Sequence, residues 1–240
     1  MVPLACLGLG LASCSLIDGQ ASSTSVATAT STVVFLGDSL AEQVAPYLQP
    51  LLSARTFVPQ FFGGTAPCDW VGEDLQAPAA SVVVISFTGN SLTACMSDGA
   101  GGFLHGQALV DKYRADIGAL VAQVQQAGAH ALLVGQPARN GGGDDALEVT
   151  GINQVYTDLV AAGGASFVDA GAAVEDAGGQ YVMQLPCLPG EAECGPDGSN
   201  VIRSDDGVHF CPGPNLKPCP VYSSGAFRFA TAIAAALDAL

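Results

Sequence analysis

Apolar and polar positions change their spacing several times along the chain, and each change marks an element. Residues 32–37, TVVFLG, form a continuous apolar run that stops at Gly37 and read as a buried strand. SLAEQVAPYLQPLLSA, from residue 39, reads as a helix disturbed by Pro46 and Pro50. TFVPQFFGG (56–64) reads as a second strand, with Pro59 placing it at an edge or a bulge. SVVVISF (81–87) is β-branched and uncharged, the pattern of a strand covered on both faces. From 105 to 127 the period becomes helical, with Leu109, Tyr113, Ile117, Leu120, Val121 and Val124 on one stripe and Gly128 as the stop. HALLVGQ (130–136) is another buried strand, GINQVYTDLVAAGG (151–164) a helix, and ASFVDAG (165–171) a short strand. The tail, YSSGAFRFATAIAAALDAL (222–240), is an Ala-rich amphipathic helix.

Strands that alternate with helices predict an α/β fold, a three-layer α/β/α sandwich with a parallel sheet covered on both faces. No internal repeat is present. The stretch 185–221 holds four Cys and many Gly and Pro with little regular pattern. A segment that long and irregular inside a compact domain is functional, stapled down, or both.

The first thirty or so residues differ from the rest. VPLACLGLGLASC is apolar but too short to cross a bilayer as a helix. Its last residues, Leu11-Ala12-Ser13-Cys14, resemble a bacterial lipobox, in which cleavage precedes the Cys and the thiol carries lipid. An ordinary secretory cleavage site is the alternative, and both readings export the protein. The division expected is a leader at 1–14 ending on the candidate lipidation site Cys14, a Ser/Thr/Ala-rich tether at 15–31, and one domain at 32–240. The destination is the cell envelope by lipid anchor, or secretion.

Cysteine usage agrees with export. Of eight Cys, Cys6 lies in the leader and Cys14 is the candidate anchor, which leaves six, an even number in a compartment that permits oxidation. Spacing favours Cys187–Cys194 and Cys211–Cys219, each closing a short Gly/Pro-rich loop, and leaves Cys68 for Cys95. No closely spaced CxxC pair suggests zinc. With 7 Lys and Arg against 22 Asp and Glu, the formal charge of −15 argues against nucleic acid or anionic lipid as a partner. Contact with a membrane is then expected only through the N-terminal lipid, and the protein is expected to be a monomer.

Ligands of open parallel sheets bind beyond the carboxyl ends of the strands, so the residues just after the strands matter most. The first strand is followed by Gly37-Asp38-Ser39-Leu40, the second by Gly63-Gly64-Thr65 and the third by Thr88-Gly89-Asn90-Ser91. On that tight corner, Asp38 or Ser39 is either a helix cap or, for Ser39, an exposed nucleophile. Acyl transfer needs a nucleophile and fixed N–H donors for the oxyanion that forms on attack. The Ser39 N–H, a Gly63 or Gly64 N–H and the Asn90 amide supply such a set. A serine also needs a base. His105 starts a helix and His130 precedes a strand at the wrong end of the sheet, so both read as structural. His209, in RSDDGVHF, follows Asp206 by three residues, which lets the carboxylate hold Nδ1 while Nε2 faces the serine. Asp205 is the competing carboxylate, and spacing favours Asp206.

These blocks resemble the SGNH (GDSL) hydrolase superfamily, named for Ser, Gly, Asn and His in four separate blocks. Gly37-Asp38-Ser39-Leu40, Gly63-Gly64-Thr65, Asn90 and Asp206-Gly207-Val208-His209 occur here in that order, over about residues 32–240. FTGNSLTACM, DGVHFCP and CPVYSSGA further resemble cysteine-rich exported actinobacterial members. The third block departs from the usual Gly-x-Asn-Asp, since Gly89 directly precedes Asn90 and Ser91 stands in the Asp position. The resemblance implies a flavodoxin-like sandwich, a Ser–His–Asp triad of Ser39, His209 and Asp206, no metal and no organic cofactor.

The function expected is therefore an exported serine esterase acting on a small-molecule or glycan ester, with short acyl groups favoured because no long apolar lid is evident. The alternatives are an acyltransferase that resolves the same acyl-enzyme with a sugar acceptor, and a catalytically silent envelope-binding lipoprotein on the same fold. Trp70 and Phe62, near the glycines, are candidates for a sugar platform or an acyl wall, though Trp70 packs as simply under the Cys68 loop.

Overall fold

A computed structural model describes residues 32–141, 144–213, 216 and 218–240. The leader, the tether and Cys14 lie outside the described residues. Five parallel strands form the sheet: β1 (Thr32–Gly37), β2 (Thr56–Phe61), β3 (Val82–Ser86), β4 (His130–Val134) and β5 (Ala165–Val168), in the order β2-β1-β3-β4-β5. The helices α1 (Ser39–Leu51) and α4 (Ser224–Asp238) cover one face, and α2 (Gly106–Gln126) and α3 (Asp144–Ala161) the other. This is the three-layer α/β/α sandwich the alternation predicts.

Strand residues alternate between the two cores as the pleat requires. Val33 and Phe35 of β1 join Val84, Leu132 and Val134 under α1 and α4. Val34 and Leu36 join Val83, Ile85, Ala131 and Leu133 under α2 and α3. Because both faces are buried, these strands carry unbroken apolar runs. Pro59 lies in β2, the edge strand, where a missing N–H does least harm to the ladder.

Three elements differ from the sequence reading. Helix α1 runs through Pro46 and Pro50 without a break, held by Val44, Ala45 and Leu48 in the core. Helix α3 starts at Asp144, seven residues before the expected Gly151. Gly151 is an interior residue, and a Cβ there would sit 2.7 Å from Val110 Cγ2, so glycine marks the close approach of α3 to α2 rather than a boundary. The irregular stretch expected at 185–221 overlaps a small antiparallel pair, β6 (Gln184–Pro186) with β7 (Ser199–Val201), each too short to show a period. The structure joins Cys68 to Cys95, Cys187 to Cys194 and Cys211 to Cys219. Among the described residues no helix is long and apolar enough to cross a membrane.

The strand order changes direction between β1 and β3. That switch point opens a crevice at the carboxyl ends of these two strands, and the loops that follow them carry Ser39 and Asn90.

Candidate active site

The corner after β1 is tight because nothing else fits. A Cβ on Gly37 would collide with the Ser86 carbonyl of β3 and lie 2.5 Å from Ala41 Cβ. Asp38 takes the cap position of α1: its Oδ1 accepts the Leu40 N–H at 3.1 Å. Ser39 is thereby the first residue of the helix. Its own N–H has no intrahelical partner, and its Oγ is left to face the cavity.

Ser39 Oγ lies 2.8 Å from His209 Nε2, and His209 Nδ1 lies 2.7 Å from Asp206 Oδ2. Asp206 Oδ1 also accepts the N–H groups of Val208 (2.9 Å) and His209 (3.0 Å). Partial burial pushes the Asp206 carboxyl up, but the bonds from His209 and Val208 outweigh it and hold the group below its ordinary value. An ionised Asp206 takes the proton on Nδ1 as a hydrogen bond, so the Nε2 lone pair is the one that accepts from Ser39 O–H. Asp205 takes no part; its N–H donates to the Gly213 carbonyl.

Several bonds fix the His209 loop. Gln43 Oε1 of α1 accepts the Phe210 N–H at 2.8 Å, and the Ser204 N–H donates to the His209 carbonyl at 2.6 Å. Ser223, the cap of α4, donates its hydroxyl to the Phe210 carbonyl at 2.7 Å. Beneath the loop, Arg203 is fully buried and donates Nη2–H to the carbonyls of Ala138 (3.0 Å) and Gly207 (3.3 Å). Its guanidinium carbon lies 5.4 Å from the ring centroids of both Tyr181 and Phe210. Burial pushes Arg203 down to about 10, which leaves it charged near neutral pH.

Asn90 is held from three sides. Its Nδ2 donates to the Thr65 carbonyl at 3.2 Å, its Oδ1 accepts the Leu92 N–H at 3.1 Å, and its carbonyl accepts Tyr113 O–H at 3.0 Å. An amide nitrogen carries two protons, so one remains after the bond to Thr65. Burial and the nearby Asp38 carboxylate push the Tyr113 phenol well up, which keeps it a donor. Of the two glycines after β2, Gly64 lines the cavity with Ser39, Asn90 and His209, whereas Gly63 does not. The cavity encloses about 470 Å³, and among the described residues its only hydrocarbon side chains are Leu92 and Val208.

The other candidates lie elsewhere. His130 starts β4 at the amino end of the parallel strands, opposite the cavity, and meets Ser166 Oγ at 2.8 Å, and His105 precedes α2 outside the cavity. Trp70 and Phe62 do not line the cavity: Trp70 donates Nε1–H to Thr65 Oγ1 at 3.2 Å and packs with Cys68 against the α2/α3 core, while Phe62 is 68% exposed. The expected platform or wall is corrected accordingly. Cys68, Asp69 and Cys95 cluster, but both sulfurs are used in a disulfide.

Residues 66–215 match the family described as "Protein of unknown function (DUF459)", a match spanning more than half of the chain. The chain belongs to the DUF459 family. The fold of this DUF459 protein is that of the SGNH (GDSL) hydrolases. It is similar to a lipase/acylhydrolase from Enterococcus faecalis, with TM-score 0.55 and 14% identity over 88% of this chain and 96% of that one. It is also similar to a GDSL-like lipase from Bacteroides thetaiotaomicron, with TM-score 0.52 and 14% identity over 87% and 89% of the two chains. An acetyl xylan esterase from Geobacillus stearothermophilus aligns with TM-score 0.50 and 15% identity over 87% and 94%. No curated protein matches the DUF459 chain.

Proposed function

We propose that the protein is an exported serine esterase that hydrolyses carboxylic esters with short acyl groups. The observation that carries this reading is the continuous chain from Ser39 Oγ through His209 to Asp206, at 2.8 and 2.7 Å, opening onto a cavity that Gly64 and Asn90 also line.

In this reading Ser39 Oγ attacks the ester carbonyl carbon as His209 Nε2 takes its proton. Asp206 stabilises the imidazolium that forms. The carbonyl oxygen becomes an oxyanion facing the Ser39 N–H, the Gly64 N–H and the free Asn90 Nδ2–H. Each such donor contributes about 3–4 kcal/mol to lowering the barrier. The positive end of the α1 dipole acts in the same sense. The tetrahedral adduct collapses, the C–O bond to the alcohol breaks, and His209 returns the proton to the leaving alkoxide. Water then attacks the acyl-enzyme by the same route and releases the acid.

Short, polar substrates are favoured by the cavity wall, because Leu92 and Val208 give little surface for a long acyl chain. The likeness to an acetyl xylan esterase points the same way. Export is supported by three disulfides in one small domain. The test is labelling with a fluorophosphonate probe followed by peptide mapping, alongside hydrolysis of acetyl, butyryl and longer esters and of acetylated polysaccharides. Labelling of Ser39 with preference for acetyl and butyryl esters is expected; failure to label Ser39 overturns the reading.

A further inference from the structure

The cavity holds a cation that the ester chemistry above does not use. Arg139 follows β4 and lines the cavity together with Ser39, Asn90 and His209. Across the carboxyl edge of the sheet, the loops after β2, β1, β3 and β4 deliver Gly64, Ser39, Asn90 and Arg139 in that order. Arg139 is thus one strand beyond the Asn90 amide. Its guanidinium lies against Gly89, where a Cβ would stand 2.8 Å from Nη2.

Among the described residues the Arg139 side chain meets the more distant field of the buried Asp38 carboxylate but has no bonded partner, and this sets it apart. Arg55, Lys112, Arg114, Arg203 and Arg228 each donate to a carboxylate or a carbonyl. Arg139 makes no hydrogen bond and no ion pair among the described residues. Two carboxylates line the same cavity without pairing to it. Glu148 Oε1 accepts the Gly106 N–H at 2.6 Å, and the Asp145 carboxylate lies over Gly141.

The backbone on either side of Arg139 is clamped. The Ala138 N–H donates to Glu175 Oε1 at 2.6 Å and its carbonyl accepts from the buried Arg203 at 3.0 Å. The Asn140 N–H donates to the Gly207 carbonyl, inside the Asp206–His209 loop, at 3.1 Å. The same arginine, Arg203, therefore pins both the Arg139 segment and the triad loop. A pinned backbone carrying a half-buried, unpaired guanidinium is a pre-organised fork for an oxyanion, and a carboxylate matches it with two parallel bonds. On a chain of formal charge −15, and in a cavity that Asp145 and Glu148 also line, this guanidinium is a local positive point that fixes where an anionic group is held.

We propose that Arg139 makes this cavity selective for esters that carry a carboxylate, which the guanidinium binds one strand beyond the Asn90 donor. The proposal rests on the esterase reading of the same site. The carboxylate belongs either to the acyl part or to the alcohol part of the ester, and both sources present the same group to the arginine.

Calorimetric titration of the Ser39→Ala protein separates binding from turnover. Monomethyl succinate against dimethyl succinate tests the acyl side; acetoxyacetate against its methyl ester tests the alcohol side. The anionic member of one pair is expected to bind about 10–100-fold more tightly than the neutral member. Arg139→Gln in the same background should bring that ratio close to one, and Arg139→Lys should keep part of it, since charge remains without the fork. The pair that responds identifies the side that carries the carboxylate. No preference in either pair, no detectable binding of any of the four, or a preference that survives Arg139→Gln overturns the proposal. Hydrolysis by the unmodified protein is read separately: absence of turnover with an Arg139-dependent preference intact sinks the esterase reading and leaves the arginine's role standing.

Discussion

Asp38 grips Thr88 with a single oxygen. Asp38 Oδ2 accepts the Thr88 N–H at 2.7 Å and the Thr88 hydroxyl at 2.8 Å, while Oδ1 caps α1. The carboxylate is fully buried and ties the start of the serine's helix to the loop that carries Asn90, two residues beyond Thr88. Burial pushes its pKa up against the pull of these bonds. Asp38 is thus a brace between Ser39 and the loop that carries Asn90, a role beyond helix capping.

Asp38→Asn places an NH₂ where either Thr88 N–H or Leu40 N–H now finds an acceptor. A buried donor then faces a donor, and about 1–3 kcal/mol of stability is lost. If the brace aims Asn90, kcat for a short ester falls more than KM rises. Thermal unfolding and steady-state kinetics on the one variant check both; a destabilised protein with unchanged kcat would show that the brace serves the fold only.

Ser39→Ala and His209→Ala should each reduce kcat/KM by about 10⁴–10⁶-fold, and Asp206→Ala by about 10⁴-fold. Asp205→Ala should change it little, because it is the Asp206 carboxylate that meets Nδ1. Protonation of Asp206 should not limit activity near neutral pH, since its carboxyl titrates below its ordinary value of 3.8. A dead Asp205→Ala protein alongside an active Asp206→Ala one would reverse the assignment.

Glu191 and Arg228 form a buried pair between the Cys187–Cys194 loop and α4, with Nε to Oε1 at 2.6 Å and side chains 1% and 3% exposed. Burial pushes Glu191 up, but Arg228, Ser224 and the Leu188 N–H together hold it below 4.5. A carboxylate with a depressed folded-state pKa stabilises the protein fully above its unfolded value and loses that contribution as pH falls through the folded one. Asp38 works with the opposite sign, since its raised pKa makes ionisation oppose folding. Glu191→Gln leaves Arg228 buried and unpaired, a loss of about 3–5 kcal/mol. Near neutral pH the Tm should drop by roughly 6–20 °C, and its decline in acid should be shallower than for the unmodified protein. A drop under about 2 °C would mean that water replaces the carboxylate.

The sheet was legible because strands buried on both faces carry no charge: β1, β3 and β4 announce themselves by composition. The residues now found together, Ser39, Asn90, Asp206 and His209, were legible because each directly follows a strand or sits in a short Asp-x-x-His spacing. Helix α3 was cut short in the sequence reading because Gly151, a packing residue, looked like an end. Asp38 gave no sign of its second role, since capping already accounts for an Asp before a helix. Glu191 and Arg228 stand 37 residues apart and show no pattern at all. Arg139 carried a usable signal: GQPARN follows the fourth strand, and the rule that singled out Ser39 and Asn90 applies there equally.

The Cys68–Cys95 disulfide joins the loop after β2 to the loop after β3, the two loops that carry Gly64 and Asn90. It closes a separation of 27 residues, for which chain-entropy estimates give about 3–4 kcal/mol. Cys68→Ser/Cys95→Ser should therefore lower Tm by roughly 6–16 °C. Its effect on rate depends on what else spans the two loops. Asn90 Nδ2 to the Thr65 carbonyl and Thr93 Oγ1 to Asp69 Oδ1 (2.7 Å) also cross between them. Those two bonds need the loops already close, whereas the disulfide enforces that closeness. On that argument kcat falls by about 3–30-fold with KM nearly constant, because a misaimed donor weakens the transition state more than the bound substrate. If kcat holds while Tm drops, the hydrogen bonds that Thr88 donates to Asp38 and Tyr113 donates to Asn90 suffice to aim the Asn90 amide, and the disulfide is a staple for the fold alone.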